Sequence, residues 1–287
     1  MLVDLHLHSQ YSDGTKTPRE IVQEGARLGY GILALADHNT DAGWEPFSAA
    51  CRDAGILPLR GMELDCLYDG LDLHILAYGY APSAALERLA GRSLQILLDM
   101  SDDLVRKLLP HFPQLSWEEW QAYAYDRSQG GWKGIHYLRR KGLTQRLEEG
   151  LGFYARYGCD YQDYPFPSVA EACKAIRDAG GRAVLAHPCN WFASLSPQEL
   201  LRQLDAMREL GIQGIECFYP ANPPEMTRLC QGYCREHGML ITQGSDWHGA
   251  FCAQRHGIYY RMGEVRAPLE ELALGDLLLS SPPSKNL

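Results

Sequence analysis

The chain has 287 residues, 46% of them hydrophobic, and its 36 acidic residues outnumber its 27 basic residues for a net charge of −9. That length suits one α/β barrel with an insertion, and the charge argues against binding to long nucleic acids or to a membrane surface. Nine cysteines without a CxxC pair, and the lack of any apolar stretch of roughly 18 residues, predict a cytoplasmic protein with reduced thiols and no membrane span. Composition leaves the oligomeric state open.

Short apolar runs alternate with helical patterns along the chain, which is typical of a parallel sheet whose strands are covered by helices. The first helix is the clearest, because Thr17, Pro18 and Glu20 form a capping pattern at its start and Gly29 marks its end. Seven strands are predicted, at residues 2–8, 31–37, 56–64, 71–79, 182–188, 214–219 and 239–246.

The stretch between the fourth and fifth runs lacks a comparable strand pattern and has helical periodicity instead. We therefore predict a helical insertion at residues 83–165, forming a small lobe that caps the substrate at one end of a barrel. Residues 1–82 and 166–287 are predicted to form the barrel itself.

Six of the ten histidines, and four carboxylates, fall at or just beyond predicted strand ends. The carboxyl ends of parallel strands meet on one face of a barrel, where barrels place their chemistry. A single histidine there is more often a hydrogen-bonded structural residue, but alternate residues such as His6 and His8 face the same side and can share one ion. Burying so many ionisable groups without a cation would be costly. The set is His6, His8, Asp13, Asp37, His38, Glu63, His74, His187, Asp246 and His248.

These imidazole and carboxylate ligands, with no thiolate among them, favour hard or borderline divalent ions. There are too many of them for one ion, so two or three ions sharing a carboxylate fit better, and Glu63 in a tight turn is the expected bridge. Such clusters lower the pKa of a bridging water and hold phosphoryl oxygens, which favours in-line hydrolysis of a phosphoester by a metal-bridged hydroxide.

The motifs DLHLHSQYSDG, ADHNT, GME, HILAYG, HP and GSDWH occur in order between residues 4 and 248. Together they resemble the PHP (polymerase and histidinol phosphatase) family. The resemblance implies a distorted (β/α)7 TIM-like barrel with up to three divalent ions, Mn²⁺ first and Fe²⁺ or Zn²⁺ as alternatives. It implies a first ion on His6, His8, Glu63 and Asp246, a second on Glu63, His74 and His187, and a third on Asp13, His38 and His248.

Some residues of these motifs are given secondary roles. Asp13 and His248 are candidates for moving the leaving-group proton, although both are better explained as ligands. Asp37 is expected to accept a hydrogen bond from a ligand imidazole, with direct coordination as the alternative. Ser12 and Asn39 are expected to hydrogen-bond within their loops.

Phosphate esters also need cations for their non-reacting oxygens. The candidates are Arg60, Lys133, Arg139 (or its neighbour Arg140) and Arg255. The GGWKG segment around Lys133 is the most suggestive, because its glycines permit a sharp loop, its tryptophan can contact a sugar or base, and its lysine supplies a charge. An ordinary turn in the helical lobe is an equally good explanation of the same segment, and Arg60 has an alternative role as partner of a nearby acid.

The predicted substrate is a small phosphorylated metabolite, either a nucleotide, a sugar phosphate or a cyclic sugar-phosphate diester. The nucleotide phosphatases of the family are expected to carry a GRPH-type loop, and this chain has GGWKG instead, which weakens a nucleotide assignment. Histidinol phosphate and short oligonucleotides remain alternative substrates, the latter disfavoured because there is no basic track. A non-catalytic metal-binding scaffold is the alternative of a different class.

Overall fold

The computed structural model describes residues 1–278, so the last nine residues of the predicted barrel range, 279–287, lie outside it. Seven strands form one sheet, and each overlaps a run predicted from the sequence. They are β1 Leu2–Leu7, β2 Tyr30–Leu35, β3 Leu57–Tyr68, β4 Leu71–Tyr78, β5 Arg182–Leu185, β6 Gly214–Phe218 and β7 Leu240–Gln243.

The strands lie side by side in sequence order. Beyond β7 the chain returns to β1: the Asp246 N–H donates to the His6 carbonyl at 2.9 Å, and the His8 N–H donates to the Trp247 carbonyl at 3.0 Å. These bonds connect the first strand to the segment that follows the last. The α/β fold with seven strands is therefore as predicted.

One strand differs from the parallel arrangement expected of all seven, because β4 runs antiparallel to both β3 and β5. The cause is a two-residue turn at Asp69 and Gly70, whose φ angles are +48° and +77°. Tyr68 pairs directly with Leu71 across this turn. An Asp-Gly pair at positive φ is typical of a type I′ hairpin, which joins antiparallel neighbours.

Helices follow most strands, and the described residues contain ten α-helices. The capping pattern predicted for the first is present: the Glu20 N–H donates to Thr17 Oγ1 at 3.2 Å and the Thr17 N–H to Glu20 Oε2 at 2.8 Å. The helices are α1 Pro18–Leu28, α2 Trp44–Ala54, α3 Ala84–Leu108, α4 Trp117–Ala122, α5 Lys133–Arg140, α6 Leu151–Arg156, α7 Val169–Asp178, α8 Cys189–Phe192, α9 Pro197–Glu209 and α10 Pro224–His237.

The stretch from α3 to α6 occupies the predicted insertion and, within the described residues, contains helices but no strand. Trp120 and Tyr137 are buried there with leucines of α3 in an apolar cluster of their own. No helix among residues 1–278 combines the length and apolar character needed to cross a membrane.

Three apolar layers hold the sheet. Helices α1 and α2 cover β1 and β2 on one outer side, and α7, α9 and α10 cover β3 to β7. A third cluster joins side chains of β1 to β5 and β7 with Leu274 and Leu277 near the end of the described chain. Apolar packing on both faces leaves the carboxyl ends of the parallel strands as the region where polar side chains are buried together.

Candidate metal centre

His6 and His8 share one face because they are alternate residues, and a bulge in β1 turns that face to the side on which Leu5 packs. Three residue steps on β1, from Asp4 to Leu7, match two steps on β2. The extra residue lets Leu5 pack in the apolar cluster of the sheet while His6 and His8 still reach the polar end. Both imidazoles are fully buried.

Glu63 lies within strand β3 rather than in the tight turn predicted from the sequence. The Glu63 N–H donates to the Asp37 carbonyl at 3.2 Å, and the Asn39 N–H donates to the Glu63 carbonyl at 2.8 Å. The glutamate is therefore held by backbone bonds to the segment after β2, in extended conformation. The same pairing brings His38 beside it.

His74 is the fourth residue of β4, not a residue at its end as predicted. It still reaches the cluster because β4 runs backwards, so that its amino-terminal half lies at the carboxyl ends of the parallel strands. His74 pairs across the hairpin with Asp65, two residues after Glu63 on β3. The direction of β4 and the position of His74 within it both differ from the prediction, and together the two differences leave His74 at the predicted site.

His187 and Asp246 have φ angles of +27° and +53°, in the left-handed region that non-glycine residues rarely adopt. His187 lies two residues after the end of β5, and Asp246 lies three residues after the end of β7. Such strain persists only where surrounding contacts enforce it and is concentrated at functional sites.

Glu63 is the centre of the cluster. Its Oε2 lies 3.1 Å from His6 Nε2, 3.2 Å from His8 Nε2 and 3.4 Å from His38 Nε2. Its Oε1 lies 2.8 Å from His74 Nδ1 and 2.9 Å from His187 Nε2. One carboxylate therefore faces five imidazoles, with its two oxygens turned toward different pairs of strands.

Asp246 and Asp13 complete the arrangement on the other side of His8. Asp246 Oδ1 lies 3.2 Å from His8 Nε2 and 3.5 Å from His248 Nδ1. Asp13 Oδ1 lies 3.3 Å from His248 Nε2 and 3.8 Å from His8 Nδ1.

The buried polar atoms are arranged as ligands rather than as hydrogen-bond pairs. His6 Nε2 and His8 Nε2 lie 3.1 Å and 3.2 Å from Glu63 Oε2, and all three atoms are buried, yet none of them makes a hydrogen bond of good geometry among the described residues. Ligands about 2.1 Å from one ion are spaced by about 3 Å, so these residues fit a metal ion between them.

Four groups have ligand atoms within 4.8 Å of one another, and three of them contain the triads or tetrad implied by the family resemblance. The third group also includes His8. The fourth, His38, Asp65 and His74, was not predicted. The groups are His6, His8, Glu63 and Asp246; Glu63, His74 and His187; His8, Asp13, His38 and His248; and His38, Asp65 and His74.

The charges of the cluster support one another. Burial by itself would raise the pKa of Glu63, but the imidazoles of His6, His38 and His74 hold it well below its ordinary value. Burial would likewise lower the pKa of His38, yet Glu63 and Asp13 raise it to about 9. The carboxylates are therefore ionised at neutral pH and available as ligands.

Sequence reasoning missed two buried acids next to the cluster. Glu216 Oε1 lies 3.0 Å from His6 Nδ1, and its Oε2 accepts the His187 N–H at 2.8 Å. Asp65 Oδ1 lies 3.3 Å from both His38 Nδ1 and His74 Nε2. Both acids lie inside apolar strand sequences, GIECF and GMELDCL. A carboxylate within such a buried run could have been recognised as a functional residue, because burying an unpaired charge is costly.

The expectation that Asp37 bonds a ligand imidazole, or is itself a ligand, is wrong. Among the described residues its carboxylate accepts hydrogen bonds from the Ser9 N–H, from Ser9 Oγ at 2.7 Å and from Ser12 Oγ at 2.6 Å. Asp37 thus fixes the loop that carries Asp13. Ser12 and Asn39 do hydrogen-bond, but their closest side-chain partners lie outside their loops: Ser12 Oγ donates to Asp37, and the Asn39 amide donates to the Asp65 carboxylate on β3.

The cluster opens onto a cavity of about 600 Å³, which Asn190 and Arg255 also line. The Arg255 guanidinium lies 3.9 Å from Asp246 Oδ2 and 4.9 Å from the centre of the Tyr260 ring. Its Nε is buried without a hydrogen-bond partner among residues 1–278. Arg255 is therefore the predicted cation that the structure brings to the cluster.

The other predicted cations lie elsewhere. Arg60 Nε donates to Asp41 Oδ2 at 3.2 Å, and its guanidinium packs on Tyr80, so it has the alternative role as partner of an acid. Arg139 donates to Gln129 Oε1 at 2.6 Å and lines neither cavity at the cluster. Lys133 lines a neighbouring cavity, with its Nζ 4.1 Å from the centre of the Trp120 ring.

The GGWKG segment is attached to the loop of Asp13. Gly130 and Gly131 have φ angles of +70° and +69°, and the Gly131 N–H donates to the Asp13 carbonyl at 2.7 Å. A Cβ on Gly130 would lie 2.6 Å from that carbonyl oxygen. The close approach places the Trp132 ring 6.0 Å from the His38 ring, centre to centre.

A buried cluster of histidines and carboxylates at the strand ends of an α/β fold, with Arg255 at its mouth, is typical of a metal-dependent hydrolase. The family model of the PHP domain matches residues 4–135. A proposed metal-dependent phosphoesterase of Bifidobacterium adolescentis superposes with a TM-score of 0.78 at 28% identity, covering 98% of this chain and 96% of that one.

Three relatives have similar length. A phosphoribosyl 1,2-cyclic phosphate 1,2-diphosphodiesterase of Eggerthella lenta is 28% identical, covering 88% of this chain and 95% of its own. A 3′,5′-nucleoside bisphosphate phosphatase of Chromobacterium violaceum is 26% identical, with coverages of 86% and 87%. A 5′-3′ exoribonuclease of Escherichia coli is 26% identical, with coverages of 86% and 85%. Residues 4–135, a little under half of the chain, therefore match the PHP domain, and over most of its length the chain is similar to phosphoesterases.

Proposed function

We propose that this phosphoesterase uses three divalent ions to hydrolyse a phosphate ester of a small phosphorylated metabolite. The observation that carries the proposal is the position of Glu63, which faces His6, His8 and His38 with one oxygen and His74 and His187 with the other. A carboxylate shared in this way suits a cluster of ions rather than one.

The proposed ligand sets are those of the family resemblance, and the convergence of the same side chains supports them. When bound, the ions supply Lewis acidity, neutralising phosphoryl oxygens and lowering the pKa of a water. Mn²⁺ is the first choice and Fe²⁺ or Zn²⁺ the alternatives, because oxygen and imidazole ligands suit all three. The proposed sets are His6, His8, Glu63 and Asp246; Glu63, His74 and His187; and Asp13, His38 and His248.

The chain's own residues bind and orient the ester. Arg255 is proposed to hold a non-reacting phosphoryl oxygen, since its guanidinium lines the cluster cavity and its buried Nε is without a partner among the described residues. Asp13 and His248, 3.3 Å apart, are proposed to handle the leaving-group proton in addition to binding an ion.

The substrate proposal covers a sugar phosphate, a cyclic sugar-phosphate diester or a nucleotide, in keeping with the relatives from Eggerthella lenta and Chromobacterium violaceum. A short oligonucleotide is a second candidate, supported by the exoribonuclease relative. The net charge of −9 favours the smaller substrates. Histidinol phosphate ranks lower, because the helical insertion and the GGWKG loop do not resemble that branch of the family.

The test is a phosphate-release screen of the Mn²⁺-loaded protein on ribose 5-phosphate, cyclic ribose phosphates, nucleotides, histidinol phosphate and a short RNA. We expect hydrolysis of at least one small ester, and loss of both activity and metal content in Glu63→Gln. The surface variant Glu225→Gln should retain both. Binding of fewer than two metal equivalents, with no phosphate released from any substrate, would favour the scaffold alternative and overturn the proposal.

A further inference from the structure

A second cavity, of about 540 Å³, adjoins the metal cluster on the side of the helical segment. Its wall includes leucines of α3, Leu94, Leu97 and Leu98, and two aromatic residues, Tyr154 and Tyr161. A cavity of this size is in the range that holds a drug-sized organic ligand.

The exposed apolar side chains of the protein are concentrated here. Within residues 1–278, seven large hydrophobic side chains are exposed, and Tyr11, Leu98 and Leu151 all line this one cavity. Scattered exposed leucines are common, but a group of them around one concave site indicates a binding surface for an apolar group.

Polar side chains at the wall are largely occupied by the protein itself. Arg127 donates to the Tyr11 carbonyl at 2.6 Å, and the Tyr125 hydroxyl donates to the Gly131 carbonyl at 3.1 Å. The Ser101 and Tyr154 hydroxyls bond each other at 2.7 Å. Lys133 also lines the wall, with its ammonium against the Trp120 ring. The occupied groups offer little to the hydroxyls of a sugar, and an apolar occupant loses fewer hydrogen bonds with water on entering.

The two cavities adjoin each other, since His38, Trp132 and Leu151 line both. An ester whose phosphorus lies at the cluster can therefore extend its organic part past Trp132 toward α3. Trp132 is held at this junction by the bond between Gly131 and the Asp13 carbonyl.

We propose that this cavity binds an apolar, ring-sized or larger group carried by the substrate, so that among small phosphate esters the enzyme prefers those with such a group to phosphates of unadorned sugars. The inference rests on the proposed function, because it assumes that a phosphate group lies at the cluster. It gives the helical segment a role in selecting that group.

Two non-hydrolysable probes test the cavity by calorimetry: (1-naphthyl)methylphosphonate and methylphosphonate, each titrated into the metal-loaded protein. We expect the naphthyl compound to bind at least tenfold more tightly, with a negative heat-capacity change from apolar burial. The double variant Leu98→Asn, Leu151→Asn should lose most of this difference. Leu201→Asn, an exposed leucine on α9 away from the cavity, is the matched control and should keep it.

Phosphate release from 1-naphthyl phosphate and ribose 5-phosphate is measured beside the binding. Equal affinity for the two phosphonates, or a difference that survives the double variant, would overturn the cavity proposal even if both esters are hydrolysed. Binding of the naphthyl probe at the cavity with no hydrolysis of either ester would instead count against the proposed function and leave the cavity assignment standing.

Discussion

Glu216 Oε1 lies 3.0 Å from His6 Nδ1, and both side chains are completely buried. The other ring nitrogen of His6 faces Glu63 and Asp246, so Glu216 sets the orientation of the imidazole from behind. Its second oxygen accepts the backbone N–H of His187, which couples a second strand end to the same acid.

Glu216→Gln should therefore weaken metal binding by about 10- to 100-fold, because the neutral amide no longer increases the basicity of His6. Metal affinity measured by competition with a chelator checks this expectation. The exposed Glu225→Gln on α10 controls for the loss of one negative charge. Equal affinities for the two variants would show that Glu216 has only a packing role.

Metal binding should release protons and strengthen with rising pH. In the metal-free protein, burial lowers the pKa of His38, but the carboxylates of Glu63 and Asp13 outweigh this effect and raise the pKa to about 9. The ring is therefore protonated at neutral pH. An ion must displace that proton, and apparent affinity should rise from pH 6 toward pH 9. Calorimetric titration in two buffers of different ionisation enthalpy measures the protons released, and a value of zero at pH 7 would contradict the prediction.

Arg255 and Arg139 were predicted alike from the sequence and should behave differently. Arg255→Met should lower kcat/KM by about 10- to 100-fold, the value of a hydrogen bond to a charged group. Arg139→Met should change it less than twofold, because that guanidinium bonds Gln129 outside the cluster cavity. Steady-state kinetics on the best substrate of the screen decides between them.

Gly130→Ala should destabilise the loop of Asp13 as well as its own. An alanine at φ +70° and ψ −178° would occupy a region that essentially only glycine adopts, at a cost of roughly 1–3 kcal/mol, and its Cβ would also lie 2.6 Å from the Asp13 carbonyl oxygen. Gly142→Ala, at φ +73° with nothing within 4 Å of the added Cβ, places an alanine at positive φ without the clash. Urea unfolding and metal content of the two variants should differ, and identical losses would show that the contact with Asp13 is unimportant.

The strand count and the convergence of the cluster could be predicted because they rest on local patterns. Apolar runs mark strands wherever both faces are buried, and ligand-type residues at several run ends indicate a shared site. The short distances from Glu63 to the ring nitrogens of His6 and His8 agree with such a shared site.

The direction of each strand could not be predicted from local hydrophobicity, because a run of apolar residues has the same pattern in either direction. The Asp69 and Gly70 pair carried that information and was overlooked. The role of Asp37 was mispredicted, and the acid that pairs with Arg60 was left unnamed, for a different reason: each partner depends on which loop folds against the sheet, and Ser9 and Asp41 are not identified by spacing alone.

The hairpin turn at Asp69 and Gly70 limits the changes in loop length that this chain can accept. Its two-residue length aligns Asp65 opposite His74, and hence decides which β4 side chains face Glu63. One residue inserted there would leave every ligand in the sequence and turn His74 to the opposite face of the sheet. A chain can thus retain all its motif residues and still lose a metal ligand through a change in loop length alone.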